Sequence, residues 1–233
     1  QNCNLILMNI DKLVIDEDDK AYRDDLKGEA LAIRGLALFD LTRIFGYPYL
    51  KDNGASLGVP IIEGLSTIDS KPTRNTVAQC YTKIIDDLTQ SLSLLGEKFN
   101  KGKINKWGAM VLLSRVYLYK GENANALKMA SDAIIGAEKN KYALWTNEDY
   151  PTAWGEDASA SKPGEVLFEI VNLTTDSPGK ESMGYLNSYD GYDDMCITCS
   201  FYQFLKEDPK DIRLQLLSFD KKYYAYVNKY QPQ

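Results

Sequence analysis

Apolar residues recur at helical spacing through the first 140 positions, and beyond them the pattern breaks up. Residues 3–15 carry Leu5, Ile6, Met8, Ile10, Leu13 and Val14 at intervals that predict a helix. The polar run Asp16 to Lys20 reads as a solvated turn. Over 21–45, Leu26, Ala30, Ile33, Ala37, Leu41 and Phe45 form one stripe, while Leu31, Leu36, Leu38, Phe39 and Ile44 make the other sides apolar too. A helix apolar nearly all round belongs in the middle of a fold. Gly46 and Pro48 end it, as helix C-termini prefer. Residues 46–75 are rich in Gly, Pro, Asn and Ser and predict a long loop, a feature often tied to function. A further helix is expected over 76–95, with Val77, Tyr81, Ile84, Ile85, Leu88, Leu92 and Leu95 on one stripe and Asn75 or Thr76 as N-cap.

Two more helices follow over 105–120 and 123–137, meeting at Gly121. Ala126, Ala130 and Ala133 on the second are small enough for close helix approach. The pair resembles one tetratricopeptide (TPR) unit, whose period is about 34 residues and which needs neighbours to bury its face. After residue 140 the chain reads as irregular. Tyr142 to Trp145 is short and extended, 146–164 and 172–195 are loops, and 165–171 is a buried strand or extended segment. Residues 199–218 read as partly helical, and the alternating tail 223–230 as a strand.

The chain of 233 residues contains no histidine. That removes Ser-His-Asp and Cys-His catalysis and every His-ligated metal site. Net charge is −6 with Lys and Arg scattered among carboxylates, so nucleic acid is not expected as a partner. Cys196 and Cys199 form a C-x-x-C, and with Cys3 and Cys80 they read as ordinary cysteines, neither a redox motif nor a disulfide framework. Asp190, Asp193 and Asp194 offer oxygen ligands without an EF-hand spacing, so no metal and no cofactor are expected. No apolar run is long enough to cross a membrane as a helix. The sequence starts at Gln1 inside a helical pattern, and the expectation is a partial chain with its targeting segment elsewhere. Tyr dominates the aromatics, with 16 against 7 Phe and 3 Trp, which suits surfaces that stack and hydrogen-bond.

Six strings in order carry a family resemblance. Gly28-Glu29-Ala30 followed by Arg34, then Phe39-Asp40-Leu41, Arg43 and Phe45-Gly46, is similar to the SusD/RagB signature "GEA-x-FLRA…FDL-x-R-x-FG". Gly58-Val59-Pro60 resembles the "GVP" that follows it, and Arg74, Thr76, Tyr81, Ile84, Asp87 and Leu88 resemble the next block. The helix pair 105–137, the segment Glu165 to Glu169 and Asp211-Ile212-Arg213-Leu214 resemble the later ones. The chain departs from the pattern at Leu31, where the family has an earlier Arg, and at Ile33, which stands for Leu. Cys3 does not match the family's lipid-bearing cysteine.

The resemblance implies a mainly α fold: a TPR-like right-handed helical stack with long irregular loops and a few short strands. It implies one SusD-like domain fragment over 1–233, with 1–140 the TPR-like helical part and 141–233 the irregular, ligand-side part. It further implies a binding protein and not an enzyme, held on the extracellular face of the outer membrane by a lipid this chain does not carry. Its partners would be an oligosaccharide or polysaccharide and a SusC-like TonB-dependent transporter. A sugar offers apolar C–H faces and a rim of hydroxyls, so its binder needs aromatic platforms with placed polar groups. The candidates are Trp154, Tyr150 and Trp145 in one loop, Tyr189, Tyr192 and Asp190 in another, and Tyr47, Tyr49 and Asn53 in a third. Trp154 leads, because no helix or strand stripe claims it. Arg34, Arg43, Asp211 and Arg213 read as structural pairs. A two-carboxylate glycosidase is disfavoured because the sequence singles out no pair. A TPR-type subunit of the same kind of transporter that binds protein or peptide is the alternative.

Overall fold

A computed structural model describes residues 1–154, 164–171, 175, 178–187, 191–192, 196–219 and 225–227. The fold is mainly helical and forms two compact units. The first comprises Gln1–Asn140 with Leu167–Glu169, and the second Lys141–Val166 with Ile170–Gln233.

In the first unit α1 (Asn2–Asn9), α2 (Lys20–Phe45), α3 (Val77–Leu92), α4 (Lys106–Lys120) and α5 (Asn123–Lys139) stack serially, each packing on the next, in a TPR-like arrangement. Local chemistry sets the boundaries. Thr76 and Gln79 form a reciprocal capping box at the start of α3. The Asn105 side chain accepts from Gly108 N at the start of α4, and Gly121 ends that helix at φ +85°. The apolar stripes meet in a core built on Ala32, Phe39, Val77, Ile84, Leu88, Leu113 and Val116. Tyr81 lies in it, and burial pushes its phenol up to about 12.

The first helix is shorter than its apolar pattern predicts. It stops at Asn9, a 3-10 turn spans Ile10–Lys12, and Leu13 is extended. Leu5, Ile6 and Met8 stay exposed, and the buried residue of α1 is Asn4. Asn4 is held by polar partners: its amide donates to the carbonyls of Ile62 and Gly64, and its oxygen accepts from Arg34.

Arg34 also pairs with Asp87 across α2 and α3, and Lys83 bridges Asp87 to Glu63. The long connection after α2 is therefore pinned to the stack. Arg74 adds a second pin, donating to the carbonyls of Gly58, Phe45 and Leu57. Arg43 pairs with Asp40 and lies over the rings of Tyr119 and Phe39.

The second unit holds two short helices, α6 (Met183–Asn187) and α7 (Cys199–Lys206), and a hairpin-like pair of strands. β1 (Leu217–Phe219) runs antiparallel to β2 (Ala225–Val227), with Ser218 opposite Tyr226. Two expectations change here. A short helix occupies Met183–Asn187 where a loop was expected. β1 starts at Leu217, near the end of the stretch expected to be partly helical. Residues 165–171, expected as a buried strand or extended segment, form no strand pairing among the described residues. Its middle, Leu167–Glu169, belongs to the first unit: Phe168 lies against that unit's core, and a Cβ on Gly108 would come within 3.2 Å of the Leu167 carbonyl.

Candidate functional site

The segment from Trp145 to Trp154 winds into successive turns. Thr146 starts them, its hydroxyl accepting from Asp149 N and donating to the Asp149 carboxylate. Tyr150 N donates to the Thr146 carbonyl, and Ala153 N to that of Asp149. These helix-like bonds put Tyr150 and Trp154, four residues apart, on one side of the turns. Trp145 is fixed separately. Ala143 N donates to the Gly164 carbonyl, and Trp145 N to the Glu165 carboxylate. Gly164 adopts φ +55°, and a Cβ there would fall 2.2 Å from Trp145 Nε1. Only glycine lets the backbone approach the indole so closely.

The three partly buried rings converge. Trp145 and Trp154 are 5.1 Å apart between centroids, Tyr150 and Trp154 5.7 Å, and Trp145 and Tyr150 6.3 Å. Asp149 and Glu165 remain exposed at the rim. Arg213 is charged at all ordinary pH. Its guanidinium is held by Asp211, whose carboxyl the same hydrogen bonds lower from its usual value, and Tyr150 adds a smaller push to Arg213.

Tyr185 and Tyr192 make an edge-to-face pair at 5.2 Å in the second unit, while Tyr189, Asp190, Asp193 and Asp194 lie outside the described residues. Tyr47, Tyr49 and Asn53 belong to the first unit. Tyr49 packs on Tyr81 and the core, and Tyr47 is exposed with Lys51 Nζ 3.1 Å above its ring. Asn53 has φ +57°, which by itself favours asparagine, so a turn conformation explains it without a ligand. Cys80 is buried, and Cys196 and Cys199 are exposed free thiols. Among the described residues no three metal-ligating side chains cluster.

Aligned over its whole length, the chain is 80% identical to a provisionally assigned sugar-binding protein of Bacteroides vulgatus, with a TM-score of 0.92, and covers 52% of that chain. A SusD superfamily protein of the same organism is 39% identical over 97% of this chain and 52% of its own, with a TM-score of 0.86. Another, from Bacteroides thetaiotaomicron, is 38% identical over 94% and 48%, with a TM-score of 0.77. A family model for SusD-like proteins, described as starch-binding and associating with the outer membrane, matches residues 1–118. This chain belongs to the SusD-like family. No curated protein matches it. The SusD-like chain spans about half the length of the solved relatives it resembles.

The family model ends inside α4, so the triad of this SusD-like chain lies beyond it. Sequence reasoning missed three of the groups that hold the triad together: Thr146, Gly164 and Glu165. The Thr-x-x-Asp spacing before Tyr150 and the Gly-Glu pair after Pro163 were the available signals. It also missed a cleft of about 920 Å³ in the first unit, formed by the start of α2, the α3–α4 connection and Asn140. Tyr22, Asp25, Glu97 and Lys103 line it, and none of the predicted site residues does.

Proposed function

We propose that this chain is part of a surface glycan-binding protein, and that the turn segment 145–154 carries a sugar site. The observation that supports the reading most is the convergence of Trp145, Tyr150 and Trp154 outside the helical stack. Aromatic side chains not needed by a helix or strand stripe, grouped beside exposed carboxylates, suit C–H faces ringed by hydroxyls. The family description and the sugar-binding assignment of the 80% identical relative point the same way. The role is binding and not catalysis. The full-length protein would sit on the extracellular face of the outer membrane and hand its glycan to a SusC-like TonB-dependent transporter. On this reading a lipid carried outside these residues attaches it to the membrane, and no described helix is long and apolar enough to cross one.

A second reading, a subunit that binds protein or peptide, rests on a different surface. Leu118 of α4 and Leu127, Ile134 and Ile135 of α5 are exposed. Calorimetry on the full-length protein against a panel of neutral and acidic polysaccharides separates the two. Binding by wild type, lost in Trp154→Ala with the helical circular-dichroism signal retained, supports the glycan site. No binding to any glycan by a folded protein shifts the reading to a protein or peptide cargo.

A further inference from the structure

The planes of the three rings carry more than their proximity does. Trp145 and Trp154 are inclined at 76°, Tyr150 and Trp154 at 84°, and Trp145 and Tyr150 at 67°. A polysaccharide lying along a binding surface presents the faces of successive sugars in a row. A site that grips several of them needs rings that are near coplanar, or that turn gradually, each spaced one sugar from the next. Three planes close to mutually perpendicular form a corner. Only one ring of a corner can lie parallel to a given sugar face, and the other two meet that sugar with their rims. Each edge-to-face contact also closes off one ring face, because the rim of one ring rests on it. The N–H rim of Trp145 is closed as well, by the backbone of Gly164.

The polar groups at the corner fix the charge of what enters. Asp149 and Glu165 are carboxylates with one oxygen engaged in the turn and one left for a donor. They accept hydrogen bonds from hydroxyls and repel a uronate. Arg213 does not offset them, since three hydrogen bonds tie its guanidinium to Asp211.

Building on the reading that the triad is the glycan site, we infer that it takes a single neutral hexose at a chain end, and not a run of sugars along a chain. One ring stacks, two rims wall the sugar in, and the two carboxylates take its hydroxyls. Affinity then resides in one residue of the glycan.

The test is calorimetry on the full-length protein with malto-, laminari-, cello- and manno-oligosaccharides from di- to heptasaccharide, and with oligogalacturonides. In whichever neutral series binds, the Kd changes less than about threefold from tri- to heptasaccharide, with one site per protein, whereas each added stacking platform would tighten it by roughly tenfold. Tyr150→Ala and Trp154→Ala each weaken binding about tenfold or more, and the double variant is no worse than either alone. Trp154→Phe retains part of the affinity and guards against a folding defect. A Kd that tightens more than about tenfold with chain length, or additive losses in the variants, overturns the single-residue site and leaves glycan binding standing. Preferential binding of oligogalacturonides overturns the neutral assignment. No binding by any series overturns the glycan reading itself, and this inference with it.

Discussion

Arg34 donates two hydrogen bonds of 2.7 Å to the carboxylate of Asp87, whose side chain is fully buried. The pair joins α2 to α3 in a bidentate geometry, and hydrogen bonding to Asp87 raises the guanidinium pKa above its usual value. Removing Arg34 leaves the buried Asp87 with Lys83 as its remaining counter-charge, and removing Asp87 leaves Arg34 with the neutral Asn4 oxygen. Asp87→Ala and Arg34→Ala are each expected to cost about 3–5 kcal/mol in denaturant unfolding, and the double variant less than their sum. Single losses below about 1 kcal/mol would show that the pair is not a structural joint.

Lys83 sits 2.5 Å from Glu63 and 3.2 Å from Asp87. Its hydrogen bond holds the Glu63 carboxyl below its ordinary value of 4.5. A group whose folded pKa is depressed stabilises the fold above its unfolded pKa and loses that contribution as pH falls through the folded one. Glu63→Gln should therefore lower Tm modestly at neutral pH and flatten the fall of Tm below pH 4.5. The effect is small, under about 1 kcal/mol, because the Glu63 side chain is mostly exposed. Thermal melts across acid and neutral pH check it, and an unchanged acid slope would argue against the assignment. Glu97 and Glu122, lowered by hydrogen bonds from Lys106 and Lys120, leave an acid limb in the variant.

Gly136 lies in the interior of α5, where helix propensity alone favours alanine by about 1 kcal/mol. The Trp107 ring reverses the sign. A Cβ at 136 would stand 2.1 Å from Trp107 Cζ3 and 2.3 Å from Cη2, so the indole must leave its seat. Gly136→Ala is expected to destabilise by about 1–3 kcal/mol. Gly64, with nothing within 4 Å of its would-be Cβ, is the control. A Gly136→Ala protein that melts higher than wild type would mean that Trp107 does not pack there.

What was legible in the sequence follows from how local each determinant is. The helices α2 to α5 could be read because an apolar pattern comes with a local boundary signal: Gly46 after α2, the Thr76 cap before α3, and Asn105 and Gly121 at the two ends of α4, the latter also setting where α5 can start. The first helix was overextended because Asn4, not a leucine, is its buried residue, and the partners of Asn4 lie some 30 to 60 positions away. The connection 46–75 looked free for the same reason: its pins, Arg74 and the Glu63–Lys83 bridge, are long-range. At the candidate site the three aromatics stood out because no stripe explained them. Their convergence depends on Gly164 folding back on Ala143, and the local Gly-Glu signal does not say which distant segment it meets.

Tyr47 and Tyr49 are two positions apart and sit in different environments. The Tyr49 ring is 5.1 Å from that of Tyr81 and packs on the core, whereas Tyr47 is 57% exposed with a lysine above it. Tyr49→Ala should cost about 3 kcal/mol or more, and Tyr47→Ala no more than about 1 kcal/mol, the worth of an exposed cation–π contact. A second readout does not depend on stability. Burial pushes the Tyr81 phenol up to about 12, and opening the Tyr49 side of the core admits water to it. In Tyr49→Ala the Tyr81 pKa, followed by NMR of labelled tyrosine, should fall back toward its ordinary value of 10.0, while in Tyr47→Ala it should stay where it is. Equal effects of the two variants would show that the residues share one environment, and the division between scaffold and surface at this turn would fail.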